Sequence, residues 1–115
     1  MEKIDFKKTL LSYKAKHGVF QIIEIPQMQY LMIDGHGDPN TSPEFANAIS
    51  ALYPIAYKLK FKSKVELKKD YIVGPLEGLW WAKDMQTFMT GNKSEWDWTL
   101  MIMIPDVVMF NRIKW

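Results

Sequence analysis

The chain has 115 residues and a formal net charge of +2, from 15 basic and 13 acidic side chains. This length fits one domain with its own core, and the weak charge gives no argument for a nucleic-acid partner. The lack of cysteine excludes disulfides and thiolate metal sites, and no apolar run is long enough to span a membrane. We therefore expect a single cytoplasmic domain without cofactor or metal. Its eight methionines, five tryptophans, five tyrosines and six phenylalanines supply adaptable contact surface.

The first predicted elements are a partly ordered N-terminal segment and two strands. Residues 1–17 are rich in lysine and are predicted to form a short helix or a tail. Apolar residues alternate over residues 19–25, and residues 28–34 have the β-branched and aromatic content of a strand. Pro26 is expected to bend the chain between these two strands.

A strong helix start follows a dense turn cluster at residues 35–43. Ser42 is the predicted N-cap and Pro43 the first helical residue. The helix is predicted to run to about residue 61 or 62 and to kink at Pro54, which lacks an amide donor. Its apolar stripe consists of Phe45, Ile49, Leu52, Ala56 and Leu59. Residues 58–69, rich in lysine, are predicted to be a solvated connection, with an anion-binding patch as the alternative.

Three further elements are predicted in the second half of the chain. A third strand covers residues 71–73 and 76–82 with an interruption between them, and residues 83–95 indicate a short helical turn closed by Gly91. A fourth strand spans residues 96–105, and Pro105 begins a last helix. The fold class is therefore α+β, with an antiparallel sheet and one main helix on one of its faces.

The strongest candidate for a ligand site is the segment PLEGLWWA, residues 75–82. In an extended strand Glu77 and Trp81 share one face and Trp80 lies on the other. A carboxylate among large π surfaces is an awkward choice for a core, because a buried acid needs a partner. An aromatic pocket with few polar groups is typical of a ligand site. The alternative is that the tryptophans only pack in the core and that Glu77 points to solvent. The sequence does not decide which face of the strand would meet a ligand.

Other candidate site residues come from the neighbouring predicted strands. Leu100, Ile102 and Ile104 suit the helix side of the fourth strand, which leaves Met101 and Met103 for the opposite face; ordinary core packing is the alternative for both methionines. Tyr30 and Tyr71 could each donate a phenol hydrogen bond to a ligand or serve as structural hydroxyls. His36 lies in the segment DGHGDP, which has no calcium or zinc spacing, and is interpreted as a loop histidine.

Three separated blocks carry a resemblance to a known family: MIDGHGDPNTSPEF at 32–45, PLEGLWWA at 75–82 and WTLMIMIPDVV at 98–108. Together they resemble the GyrI-like small-molecule-binding family, in particular its stand-alone bacterial subgroup. The resemblance implies paired strand-helix-strand-strand units that hold a ligand in the groove between their sheets. These residues match one unit only. We therefore expect either a homodimer, in which a second copy completes the groove, or a fragment prone to self-association.

The resemblance implies two alternative functions. One is the binding of amphipathic or cationic aromatic small molecules by a sensor or sequestering protein, with an acid fixing the charge. The other is hydrolysis of cyclopropane-containing genotoxic compounds, in which Glu77 would activate a water and Tyr71 would stabilise charge on the substrate carbonyl. The predicted ligand-binding residues are Glu77, Trp80, Trp81, Tyr30, Met101 and Met103.

Overall fold

The computed structural model describes residues 3–106 and residue 108. Short 3-10 turns at Leu11–Tyr13 and Lys93–Glu95 and a π-helical turn at Ser63–Leu67 supplement the regular elements. In chain order those elements are β1 (Lys3–Ile4), α1 (Phe6–Thr9), β2 (Gln29–His36), α2 (Pro43–Lys62), β3 (Asp70–Tyr71), β4 (Leu76–Trp81), α3 (Thr87–Thr90) and β5 (Asp97–Ile104).

The main sheet has three strands in the order β2-β5-β4. β5 is antiparallel to both neighbours, and α2 packs across one face of the sheet. A separate two-stranded parallel sheet joins β1 to β3. The predicted α+β class, with an antiparallel sheet and one main helix on one face, is confirmed.

The core lies between α2 and the sheet. Leu52, Ala56 and Leu59 on the predicted helix stripe are fully buried, and the ring of Phe45 meets Trp98 of β5 edge-on at 5.1 Å between centroids. The remaining sheet residues of this core include Leu31, Ile33, Leu76, Leu100, Ile102 and Ile104. Burial of this apolar surface, worth roughly 25 cal/mol per Å², is what holds an amphipathic helix on a sheet.

The helix boundaries follow the predicted signals at both ends. α2 begins at Pro43 directly after the N-cap Ser42, and it ends at Lys62. The chain then forms the π-helical turn, which Lys68 ends in a left-handed conformation with φ of 57°. Within residues 58–69, predicted to be a solvated connection, α2 thus continues to Lys62 and this turn occupies Ser63–Leu67. The kink at Pro54 stays a prediction.

Two predicted strands are corrected by the structure. Residues 14–28 form no strand, and the side chains of Phe20 and Ile22 are fully exposed, so their alternation is not matched by a sheet neighbour. The predicted third strand is divided between two sheets, because β3 pairs with β1 whereas β4 pairs with β5. Pro75 lies between the two pieces and cannot donate a ladder hydrogen bond.

Pro105, Asp106 and Val108 are the described residues that follow β5. Most of the predicted last helix falls on residues 107 and 109–115, outside the described residues. Val108 is buried in the core. The side-chain amide of Gln29 donates to the carbonyl oxygens of Pro105 and Val108, at 2.8 Å each, and so fixes the chain where it leaves β5.

Among the described residues, no helix combines the length and the apolar character needed to cross a bilayer.

Candidate functional site

The sheet face turned away from α2 carries the candidate site, and we call it the open face. Strand register decides its membership, because residues paired across antiparallel strands point to the same side of the sheet. Glu77 pairs with Met101, and Trp81 pairs with Asp97. The open face therefore consists of Tyr30, Met32, Asp34 and His36 from β2, Glu77, Leu79 and Trp81 from β4, and Asp97, Thr99, Met101 and Met103 from β5.

Glu77 is held by a tyrosine from the N-terminal segment. The hydroxyl of Tyr13 donates a hydrogen bond of 2.7 Å to Oε2 of the Glu77 side chain. Burial, the hydrogen bond to Glu77 and the charge of that carboxylate all raise the pKa of Tyr13. Burial and the Glu77 charge also raise the pKa of Tyr30. Both phenols therefore stay protonated at neutral pH and act as hydrogen-bond donors beside a carboxylate.

The open face has a covered end and an exposed end. Met101 and Met103 are buried, and Met103 lines a cavity of about 160 Å³ with residues of the N-terminal segment that include Phe6 and Leu10. At the other end Leu79 and Trp81 keep 54% and 42% of their surface exposed. Glu77, which pairs with the buried Met101, is itself partly exposed, and the N-terminal segment reaches it through Tyr13.

The exposed end of the open face finishes in a histidine-carboxylate pair. His36 Nδ1 lies 2.7 Å from Oδ1 of Asp97, and the side chain of His36 is 54% exposed. This hydrogen bond raises the pKa of His36. The pair borders a cavity of about 300 Å³ whose other lining residues are Lys83, Asp84, Thr87 and Glu95. The arrangement offers a proton acceptor or donor at the edge of the face.

A further hydrogen-bonded pair of side chains lies on the open face between its two ends. The hydroxyl of Thr99 donates a hydrogen bond of 2.5 Å to the Asp34 carboxylate. Among the described residues, no group of three or more histidine and acidic side chains is arranged to hold a metal ion.

The structure brings together most of the residues that the sequence singled out. Glu77, Trp81, Tyr30, Met101 and Met103 share the open face. The register shows that the carboxylate and Trp81 lie on the side of the sheet away from the helix.

Trp80 and Tyr71 are placed elsewhere. Trp80 points to the opposite face, where its ring lies over Gly78 so closely that an added Cβ would fall 2.2 Å from it. Tyr71 is 2% exposed in the helix-side core, with Phe6 packed edge-on at 6.4 Å between ring centroids. The structure therefore gives Glu77 a different phenol from the one predicted, Tyr13 instead of Tyr71.

Two features of the site were not predicted from the sequence. Tyr13 lies far from Glu77 in the chain, inside a segment predicted to be only partly ordered. His36 was interpreted as a loop residue, although it ends β2 and pairs with Asp97. The strand alternation of β2 extended to residue 36 would have placed His36 beside Asp34 on one face; nothing in the sequence indicated Tyr13.

No protein-family model matches the chain, and no curated protein matches it either. Among solved structures, it is similar to an uncharacterised conserved protein from Listeria innocua, with 37% identity and a TM-score of 0.77 over 96% of this chain and 54% of that one. Two structures from the same organism, each described as a hydrolase, show 36% identity and TM-scores of 0.76 and 0.78, again over 96% of this chain and 55% of theirs. The chain spans about half the length of these proteins.

Proposed function

We propose that the open face is one wall of a small-molecule site in a GyrI-like protein, and that the site binds amphipathic or cationic aromatic compounds. One observation carries the proposal: Glu77, held by Tyr13 at 2.7 Å, lies on a sheet face that also carries three methionines, Tyr30 and Trp81. A carboxylate beside soft apolar surface is suited to a flat cation, because the acid supplies charge and the π surface supplies stacking.

The second wall of the site is proposed to come from a second copy of the chain. Exposed apolar side chains lie on both outer strands of the open face, Met32 on β2 and Leu79 and Trp81 on β4. Exposed apolar surface of this kind marks an association or ligand surface. In a symmetric dimer the same face meets itself, so each copy would contribute one Glu77 and one Trp81 to a shared groove.

The adjacent tryptophans provide a matched test of the binding face. Trp80 and Trp81 are neighbours in β4 and point to opposite faces. Titration with rhodamine 6G, a flat lipophilic cation, should quench tryptophan fluorescence. Trp81→Phe should weaken dye binding by roughly tenfold, about 1.4 kcal/mol, whereas Trp80→Phe should leave the dissociation constant nearly unchanged. Equal effects of the two substitutions would contradict the assignment of the open face.

A second pair of variants tests the charge. Glu77→Gln removes the carboxylate but keeps the shape of the side chain, and Glu24→Gln makes the same change at an exposed position outside the open face. Only Glu77→Gln should weaken binding of the cationic dye. Light scattering on the same samples over a range of concentrations tests the proposed dimer. A monomer mass at every concentration would contradict a second wall supplied by another copy of the chain.

Hydrolysis is the second candidate function, and the hydrolases among the similar solved structures favour it. Glu77 would take a proton from water as the oxygen attacks the strained carbon of a cyclopropane ring conjugated to a carbonyl. The breaking carbon–carbon bond delivers its electron pair to the carbonyl, whose oxygen a protonated phenol would stabilise before it is protonated. Tyr13, which donates to Glu77, and Tyr30, which lies on the same face, are the candidate phenols.

Turnover distinguishes the two functions. The protein is incubated with an electrophilic cyclopropane conjugated to a ketone, and mass spectrometry detects a product heavier by one water. If the protein is a hydrolase, Glu77→Gln should lower the rate by roughly 10²–10⁴-fold, the usual contribution of a general base. Tyr71→Phe should leave the rate unchanged because Tyr71 lies in the core. Dye binding without turnover would support the small-molecule-binding function and contradict the hydrolase function.

A further inference from the structure

The pair formed by His36 and Asp97 has the geometry of a general base held by a carboxylate. Nδ1 of His36 lies 2.7 Å from Oδ1 of Asp97. An ionised carboxylate only accepts hydrogen bonds, so Nδ1 carries the proton and Nε2 of the neutral ring keeps its lone pair. Within the part of the chain that the structure describes, Nε2 has no hydrogen-bond partner. This nitrogen is therefore free to take a proton from a water molecule.

The backbone holds the two side chains in place. His36 ends β2 and is the ladder partner of Asp97, the first residue of β5. Just beyond this pair, the amide of Gly37 donates a hydrogen bond of 2.8 Å to the carbonyl oxygen of Trp96. Gly37 has a φ of 112°, a conformation that residues with a side chain rarely adopt. A base and the group that orients it are thus fixed on two neighbouring strands, as a catalytic pair requires.

A polar cavity of about 300 Å³ adjoins the pair, and we call it the histidine cavity. Its other lining residues are Lys83, Asp84, Thr87 and Glu95. This volume is enough for a small organic molecule. The hydroxyl oxygen of Thr87 is buried and has no hydrogen-bond partner among the described residues. Because a buried hydroxyl without a partner is costly, a polar group bound in the cavity would stabilise it.

The charge around the histidine cavity favours a positively charged molecule. Its lining contains three carboxylates and one lysine. The hydrogen bond to Asp97 is the largest cause of the raised pKa of His36, and the charges of Asp97, Glu95 and Glu44 raise that pKa further, although desolvation opposes the shift. Carboxylates from three different elements therefore act on the same imidazole. Such a negative potential attracts cations and repels anions.

We propose that the histidine cavity is a second site, in which His36 is the general base for hydrolysis of small, positively charged carboxylic esters and thioesters. An oriented imidazole is suited to activating water for attack on an acyl carbon. Asp97 is a positioning residue, because it holds the ring and its tautomer. Lys83 and Thr87 supply hydrogen-bond donors for the oxyanion that forms on the carbonyl.

The proposed reaction uses one water molecule and no other reagent. Nε2 of His36 takes a proton from the water as the water oxygen forms a bond to the carbonyl carbon. The bond from this carbon to the oxygen or sulfur of the leaving group then breaks. The leaving group departs with the electron pair of that bond and receives the proton from His36. The products are a carboxylic acid and an alcohol or thiol, and the neutral imidazole is restored.

This activity is independent of the proposed site at Glu77. Glu77 pairs with Met101, whereas His36 pairs with Asp97, four residues away along β5. At about 3.3 Å per residue, this spacing is roughly 13 Å. A molecule that fills the histidine cavity does not reach across this distance.

Thiol release from acetylthiocholine, a cationic thioester, tests the proposal. The chain has no cysteine, so an aromatic disulfide reagent detects only the thiol product. His36→Gln should lower the rate by roughly 10²-fold, within the usual contribution of a general base. His17→Gln is the matched control, because His17 is the other histidine of the chain and is exposed. His36 is itself 54% exposed, so this substitution should not unfold the protein.

The pH profile distinguishes catalysis from a structural role. The rate should rise with pH through the folded pKa of His36, because only the neutral imidazole is a base. Asp97→Asn should move the midpoint of this rise down toward about 6.5 and should also lower the plateau rate. A purely structural pair would change the amount of folded protein without moving the midpoint.

A second substrate tests the charge preference. The thioester of acetic acid with mercaptopropanoate has a similar size but is an anion. Its kcat/KM should be lower than that of acetylthiocholine by about tenfold, and added salt should reduce the difference.

Four outcomes would overturn the proposal. They are a rate no higher than that of free imidazole at the same concentration, equal losses in His36→Gln and His17→Gln, an unchanged midpoint in Asp97→Asn, and faster hydrolysis of the anionic thioester. None of them bears on dye binding at Glu77, so this proposal and the proposed function can fail separately.

Discussion

The two faces of β5 differ in chemistry although they share one backbone. On the helix side Trp98, Leu100, Ile102 and Ile104 are almost fully buried in the main core. On the open face the intervening residues are two polar side chains and two methionines, Asp97, Thr99, Met101 and Met103. Branched and aromatic side chains fill a fixed space, whereas methionine adapts to the shape of what covers it. One strand thus carries branched and aromatic side chains on the helix side and methionine and polar side chains on the open face.

Truncating a leucine on each face should show the largest difference in stability. Leu100 is 1% exposed on the helix side, and Leu79 is 54% exposed on the open face. Leu100→Ala leaves a cavity and should lower the free energy of unfolding by about 2–5 kcal/mol. Leu79→Ala should cost less than about 1 kcal/mol, because most of its surface is already in water. Urea denaturation measures both, and similar losses would mean that the open face is packed as tightly as the core.

A methyl group added beneath Trp98 should give the next largest effect. An added Cβ at Gly35 would fall 2.1 Å from the ring of Trp98, which is fully buried and cannot move away. Gly35→Ala should therefore destabilise the protein by about 1–3 kcal/mol through overpacking. Gly74→Ala is the control, since its nearest neighbour to an added Cβ is 3.9 Å away. A neutral Gly35→Ala would show that the helix-side face tolerates repacking.

The helix and the strand alternation could be predicted from the sequence because they are local. The N-cap at Ser42, the stripe from Phe45 to Leu59 and the alternation along β5 depend only on helix and strand periods. The face occupied by Glu77 depends on register between β4 and β5, which a single strand does not encode. The structure was therefore needed to show that Trp81, and not Trp80, lies on the open face.

Long-range placement explains the other differences. Residues 19–25 alternate as a strand would, but pairing also requires a free neighbour at the right place, and none meets them in the described fold. The sequence pointed to Tyr71, which lies close to Glu77 in the chain, and gave no signal for Tyr13, which is 64 residues away from it. Packing decided between them, by placing Tyr13 over the open face and Tyr71 beneath the helix.

The two tyrosines should respond differently to loss of the hydroxyl. Burial and then the charge of Asp70 raise the pKa of Tyr71 to about 12, and its hydroxyl oxygen has no hydrogen-bond partner among the described residues. Tyr71→Phe should therefore change stability little at pH 7. Tyr13→Phe loses the bond to Glu77 and should cost about 0.5–1.5 kcal/mol there.

At alkaline pH, Tyr71→Phe should be more stable than the unmodified protein. Because its folded pKa is above the value of about 10 expected in the unfolded chain, its contribution to stability is present below about pH 10 and is lost as pH rises toward the folded value. Tyr71→Phe cannot ionise, so it should unfold at higher urea concentration than the unmodified protein at about pH 11. Identical alkaline transitions in the two proteins would show that Tyr71 ionises without penalty and does not lie in a dry core.

The smallest expected effect concerns the histidine at the exposed end of the open face. The hydrogen bond to Asp97 is the largest cause of the raised pKa of His36, and the charge of Glu44 is a lesser one. In a proton NMR titration, Asp97→Asn should lower the His36 pKa toward about 6.5, and Glu44→Gln should shift it less. Because the folded pKa is raised, the pair stabilises the protein below about pH 6.5 and loses this effect as pH rises through the folded value. An unchanged His36 pKa in Asp97→Asn would show that the two side chains do not pair in solution.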